Sequence, residues 1–511
     1  MTKRPVGLSF LLLALAGTAS AQLITIRTLP ISVEDQFLIF PSQRAGMAGV
    51  GIALPDSLLD PFANPAKGAR VRASQFMSAP TFYGVSNGGG GGRTLPLGTF
   101  GQYGSWFGGA WAALQQVDAA RPSNQIFFDP RTLDVLRSQG SIVDPNGLLN
   151  GLDARTHSNQ FVFATIGRTL PSAGLSLAGS VSWAGLHAID GVDLLYTNSM
   201  GVRQSGHSMD VRFGALKDLG AGRSIEAVLL YNRFHMTQDA TYLDFFWDPG
   251  AQQSLQRARV ERNLDYTDTW GMHLQFERPL ADSVWRLGWI ATMNRMSHPK
   301  IPNYQVEQIM NIPRDPGDSY AFNLGVGVSK VKDRTTFGLD VIYEPIWSHT
   351  WADSPTPVVD ILGNTIAPGG MTVENHFRFS NALFRIGVGT DFGGETGRQH
   401  ALQFGLILRS VSYHMNQFDH VQLSGRKQNE SWVEWSPTWG IRLGFTGLDI
   451  RYQGRLTNGT GRPGIFQDGR VFVGDAAPTV GGGIIAAPNG PINLTNVQVM
   501  THQFSISLPL R

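Results

Sequence analysis

The sequence predicts an all-β protein, an antiparallel transmembrane outer-membrane β-barrel of sixteen strands, with fourteen as the alternative count. Three observations lead there. The chain opens as an export signal, most of it after residue 94 alternates apolar with small or polar residues at period two, and short and long connections take turns between the alternating runs.

Lys3 and Arg4 precede the apolar stretch Leu8 to Ala16, and Ala19-Ser20-Ala21 fits a small-residue cleavage site before Gln22. Residues 1–21 are therefore expected to be a secretory signal peptide, since this apolar core is about half the length a spanning helix needs. No later window holds eighteen apolar residues in a row, so no helical span is expected downstream. The 511 residues include no cysteine, and an exported chain of that size must then be held by a large core or a closed sheet. The 41 basic and 39 acidic residues nearly cancel, without a basic cluster interleaved with aromatics, so nucleic acid is not an expected partner. Sixty glycines lack a G-X-Y period, which excludes collagen, and 10% aromatic residues argue against wholesale disorder.

The alternation is plain in Trp270, Met272, Leu274 and Phe276, and again in Tyr320, Phe322, Leu324, Val326 and Val328. Phe337, Leu339, Val341 and Tyr343 repeat it, as do Leu402, Phe404, Leu406 and Leu408. A soluble sandwich would alternate in the same way, so length decides: runs of about 10 to 14 residues match a tilted membrane strand better than the usual globular strand of about five or six. In chain order the runs fall near 70–85, 95–103, 106–118, 158–170, 175–189, 205–218, 224–238, 266–278, 284–298, 319–331, 335–348, 372–392, 401–414, 430–445, 448–457 and 496–510. Pro80 interrupts the first run and the second is short, hence the alternative of fourteen. Tight links are expected at 171–174, 219–222, 281–283, 332–334, 393–398 and 446–447. Long connections are expected near 118–157, 239–265, 299–317, 349–371, 415–429 and 458–495. Trp183, Tyr231, Trp270, Trp285, Tyr343, Trp347, Tyr413, Trp439 and Tyr452 recur near run ends, as interfacial girdles require.

Ahead of the first run, Asp56 or Ser57 can cap a helical turn carrying Leu58, Leu59 and Phe62. Asn64 can cap a second turn with Pro65 at its first position and Gly68 as its stop. Neither turn is long enough to stand alone in water, so something must enclose them.

The whole stretch RAGMAGVGIALPDSLLDPFANPAKGARV, residues 44–71, resembles the amino-terminal hatch of the FadL-like outer-membrane transporters of hydrophobic compounds, a superfamily that includes the PorV-like barrels associated with type IX secretion. The matching residues are Gly46, Met47, Gly49 and Gly51, then Asp56 and Asp60, then Asn64, Pro65 and Ala66. The sequence departs from the pattern at Lys67-Gly68, where the family often has Gly-Leu, and at Leu510-Arg511, where barrel-assembly signals usually finish on an aromatic. The resemblance implies a hatch over residues 22–69 in the lumen of a barrel formed by residues 70–511. It also implies passive uptake of a hydrophobic small molecule or lipid, such as a long-chain fatty acid or an aromatic hydrocarbon, across the outer membrane. The alternative it implies is a PorV-like barrel whose extracellular loops bind a secreted protein cargo. Apolar loop residues Phe127, Phe128, Leu148, Leu149, Phe245, Phe246 and Trp247 suit either.

Strand parity places Asp210, Arg212, Arg286, Asp340, Glu344, Arg385, Arg409, Arg442 and Arg451 on the polar face as candidate lumen residues. Opposite charges there are expected to pair and stiffen the wall; a polar track for a ligand head group is the alternative. Asp340 and Glu344 would also fit a carboxylate pair of the kind that cleaves glycosides, but spacing along a strand does not fix the separation such chemistry needs. No nucleophile elbow, phosphate loop or dinucleotide fingerprint occurs, and Asn87 to Arg93 lacks the Lys-Ser/Thr of a phosphate cradle. No enzymatic activity or cofactor is expected. The 12 histidines show no H-E-x-x-H or other zinc spacing, so no metal site is expected either.

Overall fold

A computed structural model describes residues 33–71, 73–86, 89–118, 138–144, 146–149, 156–190, 199–280, 284–298, 317–353, 356–393, 400–459 and 498–510. The expected signal peptide 1–21, residues 22–32 of the expected hatch, and Phe127 and Phe128 lie outside them. Sixteen antiparallel strands close into a barrel. The first is split into Gln75–Ser78 and Thr81–Val85, and both pieces pair with Gly91–Tyr103 on one side and Gln498–Pro509 on the other. The break falls at Ala79-Pro80 because proline cannot donate to the ladder; its carbonyl still accepts from Phe504 N–H at 2.9 Å.

The remaining strands are Trp106–Asp118, Thr156–Leu170, Leu175–Leu186, Gly201–Gly220, Arg223–Asp248, Gln253–Pro279, Trp285–His298, Gly317–Lys332, Thr335–Asp353, Met371–Phe392, His400–Asp419, Ser424–Phe445 and Leu448–Asn458. Each pairs with the next in sequence, as hairpin connections dictate. Short turns gather at one rim. At Gly220-Ala221-Gly222 all three residues take positive φ, 75°, 51° and 70°, so the flanking glycines let the chain reverse where most side chains would strain.

The polarity of the wall is inverted relative to a soluble protein. Leu95, Leu114, Ile166, Phe213, Leu229, Leu324, Phe384, Phe404 and Val433 are exposed on the outer face. Gln115, Asn159, Asp210, Asn232, Glu226, Asn294, Asp340, Asn381 and Gln453 are buried on the inner one. An apolar belt facing outward around a polar interior is stable only in a bilayer, which places the protein in the outer membrane.

Two of the expected long connections are instead strand. Residues 239–265 belong to Arg223–Asp248 and Gln253–Pro279, which pair up to Asp248↔Gln253, and residues 415–429 belong mostly to His400–Asp419 and Ser424–Phe445. Strands of 26 and 27 residues exceed the roughly 9 to 11 that cross a bilayer, so this hairpin stands beyond the membrane. Its upper part carries charge on both faces, with Asp239 paired to Arg262 and Asp244 to Arg259, and so lacks the apolar stripe by which a membrane strand is recognised. Leu149 is buried with Ile142 and Ala258 against it, with Leu148 packed alongside, so neither is an exposed loop residue. Phe245 and Trp247 near its tip are 72% and 62% exposed, while the Arg257 guanidinium lies over the Phe246 ring.

Candidate functional site

Residues 33–71 touch inner-face residues of strands all around the ring, and therefore lie within the lumen. Asp56 organises the segment's middle. Its carboxylate accepts from Ser42 Oγ (2.6 Å), Gln43 N (2.8 Å) and Arg44 N (3.2 Å), and from Leu58 N (3.1 Å) and Leu59 N (3.2 Å). It caps the turn that leads into the helix Asp60–Ala63. Asn64 then caps the 3-10 helix Pro65–Arg70 by accepting from Ala66 N at 3.0 Å, with Pro65 at its first position. Gly68 does not stop this helix, which continues to Arg70. A methyl on Gly68 would fall 2.5 Å from the Phe100 ring and 2.7 Å from that of Phe107, so close packing explains it.

A row of wall glycines receives residues 46–52. Gly288 opposes Gly327, Gly338 opposes Gly387, and Gly387 opposes Gly405, so neighbouring strands offer a side-chain-free strip at one height. A methyl at Gly387 would lie 2.4 Å from Met47 O, one at Gly405 2.4 Å from Ala48 N, and one at Gly288 2.2 Å from Ile52 O. Gly46 is equally confined, since a methyl there would lie 2.8 Å from Gly440 Cα, whereas one at Gly49 would meet nothing within 4 Å and that glycine is needed for its φ of 64°. Gly51 donates its N–H to Asp340 Oδ2 at 2.8 Å.

Other wall side chains satisfy the segment's backbone. Thr438 Oγ1 accepts from Ala48 N (2.9 Å) and donates to Gly46 O (3.0 Å), Gln275 donates to Ile52 O (3.0 Å), and Ser329 donates to Ala53 O (2.7 Å). Gln403 reaches Gln43 O at 2.9 Å, and Asp35 is held by Arg455 and Thr501. Gln36, Gln115 and Asn159 form one buried amide network toward the long-loop rim. These bonds supply the backbone of a buried loop segment with the partners that burial demands.

All nine candidate lumen residues fall on the inner face. Asp210 pairs with Arg212 at 2.8 Å, and Arg212 also donates to Phe62 O and Ala63 O at 3.2 and 3.0 Å. Arg385 opposes Asp340 in register and reaches Gly49 O at 3.4 Å. Arg442 and Arg451 share Asp449 at 2.7 and 2.9 Å, and Arg286 pairs with Glu277 at 3.3 Å. Glu344 is buried opposite Asn381, and Arg409 opposes Glu434.

The residue that sequence reading passed over as a departure, Lys67, is among the most committed. Buried to 6% exposure, its ammonium lies 2.8 Å from Glu226 Oε1 and 3.5 Å from Asp60 Oδ2, while Asn64 Nδ2 donates to Glu226 Oε2 at 2.7 Å. Burial acts to lower the Lys67 ammonium, but the carboxylates of Asp60 and Glu226 outweigh it and hold it above its ordinary value. Burial pushes the Asp60 carboxyl up to about 6 although Lys67 pulls the other way, and Asp56 and Glu226 add to the rise. The signal available in the sequence was a lysine seven residues after an aspartate, in a segment expected to be enclosed.

One sector of the inner wall is apolar. Phe100, Phe107, Trp111, Phe163 and Leu216 pack with Leu58, Phe62 and Ala66 of the segment, and Phe161, Leu186, Phe234 and Met236 continue the stripe with Ile39 toward the long-loop rim. Phe40 and Phe62 stack at 4.1 Å, and Phe62 meets Trp111 at 5.4 Å and Phe163 at 5.0 Å. Across the lumen, Met296, Ile346, Phe379, Val411, Met415 and Trp432 form a second inner apolar cluster. At the short-turn rim, a cavity of about 410 Å³ between segment and wall is lined by Arg44, Arg70, Arg223 and Arg286, with Glu277 and Leu54. The Nε atoms of Arg44 and Arg286 are buried there without a hydrogen-bond partner.

No family profile and no curated relative matches the sequence. Among solved structures, a FadL homologue of Pseudomonas aeruginosa aligns over 93% of this chain and 99% of its own, at 9% identity and a TM-score of 0.44. A bacterial polysaccharide outer membrane secretin aligns over 86% and 99% at 7% identity and 0.38, and the siderophore receptor PirA from Acinetobacter baumannii over 85% and 80% at 7% and 0.32.

Proposed function

We propose that the protein is an outer-membrane channel for the passive uptake of hydrophobic small molecules, such as long-chain fatty acids or aromatic hydrocarbons, with residues 22–69 as its hatch. The apolar stripe inside the lumen carries this reading. A channel for polar solutes has no use for Phe100, Phe107, Trp111, Phe161 and Phe163 on its inner face, whereas an apolar solute needs such a lane to cross a polar interior. Phe40 and Phe62 of the hatch now occupy the lane, so a solute would follow the path they vacate. The arginine-lined cavity at the short-turn rim suits the carboxylate of an amphipathic acid leaving that lane. The resemblance of residues 44–71 to FadL-type hatches supports the same reading.

Uptake of a fluorescent fatty acid by cells expressing the protein, against cells expressing Phe163→Asp or Trp111→Asp, tests it. Loss of uptake with an unchanged amount of folded barrel is the expected result. Equal uptake by cells with and without the protein would end the proposal. The protruding hairpin, with Phe245 and Trp247 exposed at its tip, favours a second reading in which the external face holds a secreted protein cargo. A Phe245→Ser/Trp247→Ser variant that keeps uptake but loses a co-purifying exported protein would favour it.

A further inference from the structure

On the outer face of the barrel, above the exposed Tyr343 and Trp347 and away from the lumen, two imidazoles bond one carboxylate and a third lies beside it. His349 and His376 oppose each other across neighbouring strands, their rings parallel to within 1° at 4.3 Å, and Glu374 lies two residues before His376 on the same face. His349 Nε2 is 2.8 Å and His376 Nε2 3.1 Å from the same oxygen, Glu374 Oε1. His420 arrives from the turn after His400–Asp419. Its backbone N–H donates to Thr372 O at 2.8 Å, and Phe418 stands edge-on to its ring at 4.8 Å. Its Nε2 lies 3.7 Å from Glu374 Oε2, too far for a hydrogen bond, and is buried with no hydrogen-bond partner at all.

Hydrogen bonding alone explains two of these histidines but not the third. Both of their bonds fall on Glu374 Oε1, whereas the buried His420 Nε2 faces Oε2 without a bond and is left desolvated. The ligand atoms of His349, Glu374 and His376 all lie within 4.8 Å of one another, and donors around a tetrahedral zinc ion stand about 3.3 Å apart. A cation held among them would draw the rings inward and, with His420 Nε2 already 3.7 Å from Glu374 Oε2, would give that orphaned nitrogen its partner.

We propose that His349, His376, His420 and Glu374 form a binding site for a divalent transition-metal cation of the zinc class. Three imidazoles and a carboxylate suit zinc far better than calcium or magnesium, which favour all-oxygen shells. With four protein ligands the site is closed and structural. It ties the Asp419–Ser424 turn to the rim end of the hairpin formed by Thr335–Asp353 and Met371–Phe392. This departs from the expectation of no metal site, because the ligands are assembled by strand register rather than by spacing along one segment.

Tag-free, full-length protein in detergent, stripped with EDTA, would be titrated with zinc by calorimetry and with cobalt by visible absorption. One equivalent of zinc and intense tetrahedral cobalt bands are expected. Glu374→Gln and a His349→Ala/His376→Ala pair should each abolish the bands and weaken zinc at least about tenfold, while His187→Ala changes neither. If the paired variant does not fold, His420→Ala in the turn serves in its place, with the cobalt bands lost or turned octahedral. No zinc uptake, or uptake unchanged in these variants, overturns the proposal.

Discussion

Lys67 Nζ lies 2.8 Å from Glu226 Oε1, joining the 3-10 helix Pro65–Arg70 of the proposed hatch to the inner wall through a pair shielded from water. Removing one member leaves the other charge buried alone, which typically costs about 3 to 5 kcal/mol, whereas removing both is far milder. Lys67→Met is therefore expected to loosen residues 60–70, read as faster hydrogen exchange there with barrel strands unchanged. The double variant Lys67→Met/Glu226→Gln should regain most of the protection. A double variant no better than the single would show that the pair does not anchor the hatch.

Gly405 and Gly387 leave no room for a side chain beneath Met47 and Ala48. Gly405→Val adds bulk only on the inner face, so the barrel should still fold and resist heat in detergent while the hatch is pushed off its seat. Overpacking of this kind costs about 1 to 3 kcal/mol. Single-channel recordings in planar bilayers should show more frequent open events than for the unmodified protein. Identical traces would mean that the glycine strip does not govern closure.

Asp60, held near 6 against an ordinary 3.8, binds its proton more tightly in the seated hatch than in a released one. Protonation therefore favours seating: this contribution is complete below the ordinary value and is lost as the pH rises through about 6. Open events should become rarer as the pH falls from about 7 to about 5, and Asp60→Asn should flatten that dependence. A dependence that survives in Asp60→Asn would assign it elsewhere.

Asn64 both caps Ala66 N and donates to Glu226. Asn64→Ala should cost about 1 to 2 kcal/mol of local order, one cap and one charge-assisted bond. Deleting residues 22–69 should go further and leave a folded barrel of higher conductance, because the closed sheet pairs its own backbone. A truncated protein that folds and conducts no more than the intact one would remove the hatch from the mechanism.

The sequence by itself determined the class of this protein, because period-two alternation and turn chemistry are local properties. All sixteen strands, the inward parity of residues such as Asp340 and Arg385, and the Asn64-Pro65 cap follow from residues a few positions apart. What only the tertiary structure decided depends on register between distant strands. Residues 239–265 look like a loop until each is paired across the hairpin. Gly387 and Gly405 are unremarkable until they stand side by side under Met47, and Lys67 is a stray charge until Glu226, far along the chain, meets it. His349, Glu374, His376 and His420 carry no spacing signal at all; they meet because antiparallel pairing slides two strands and a turn into one alignment, and a shift of a single residue would send these side chains to opposite faces.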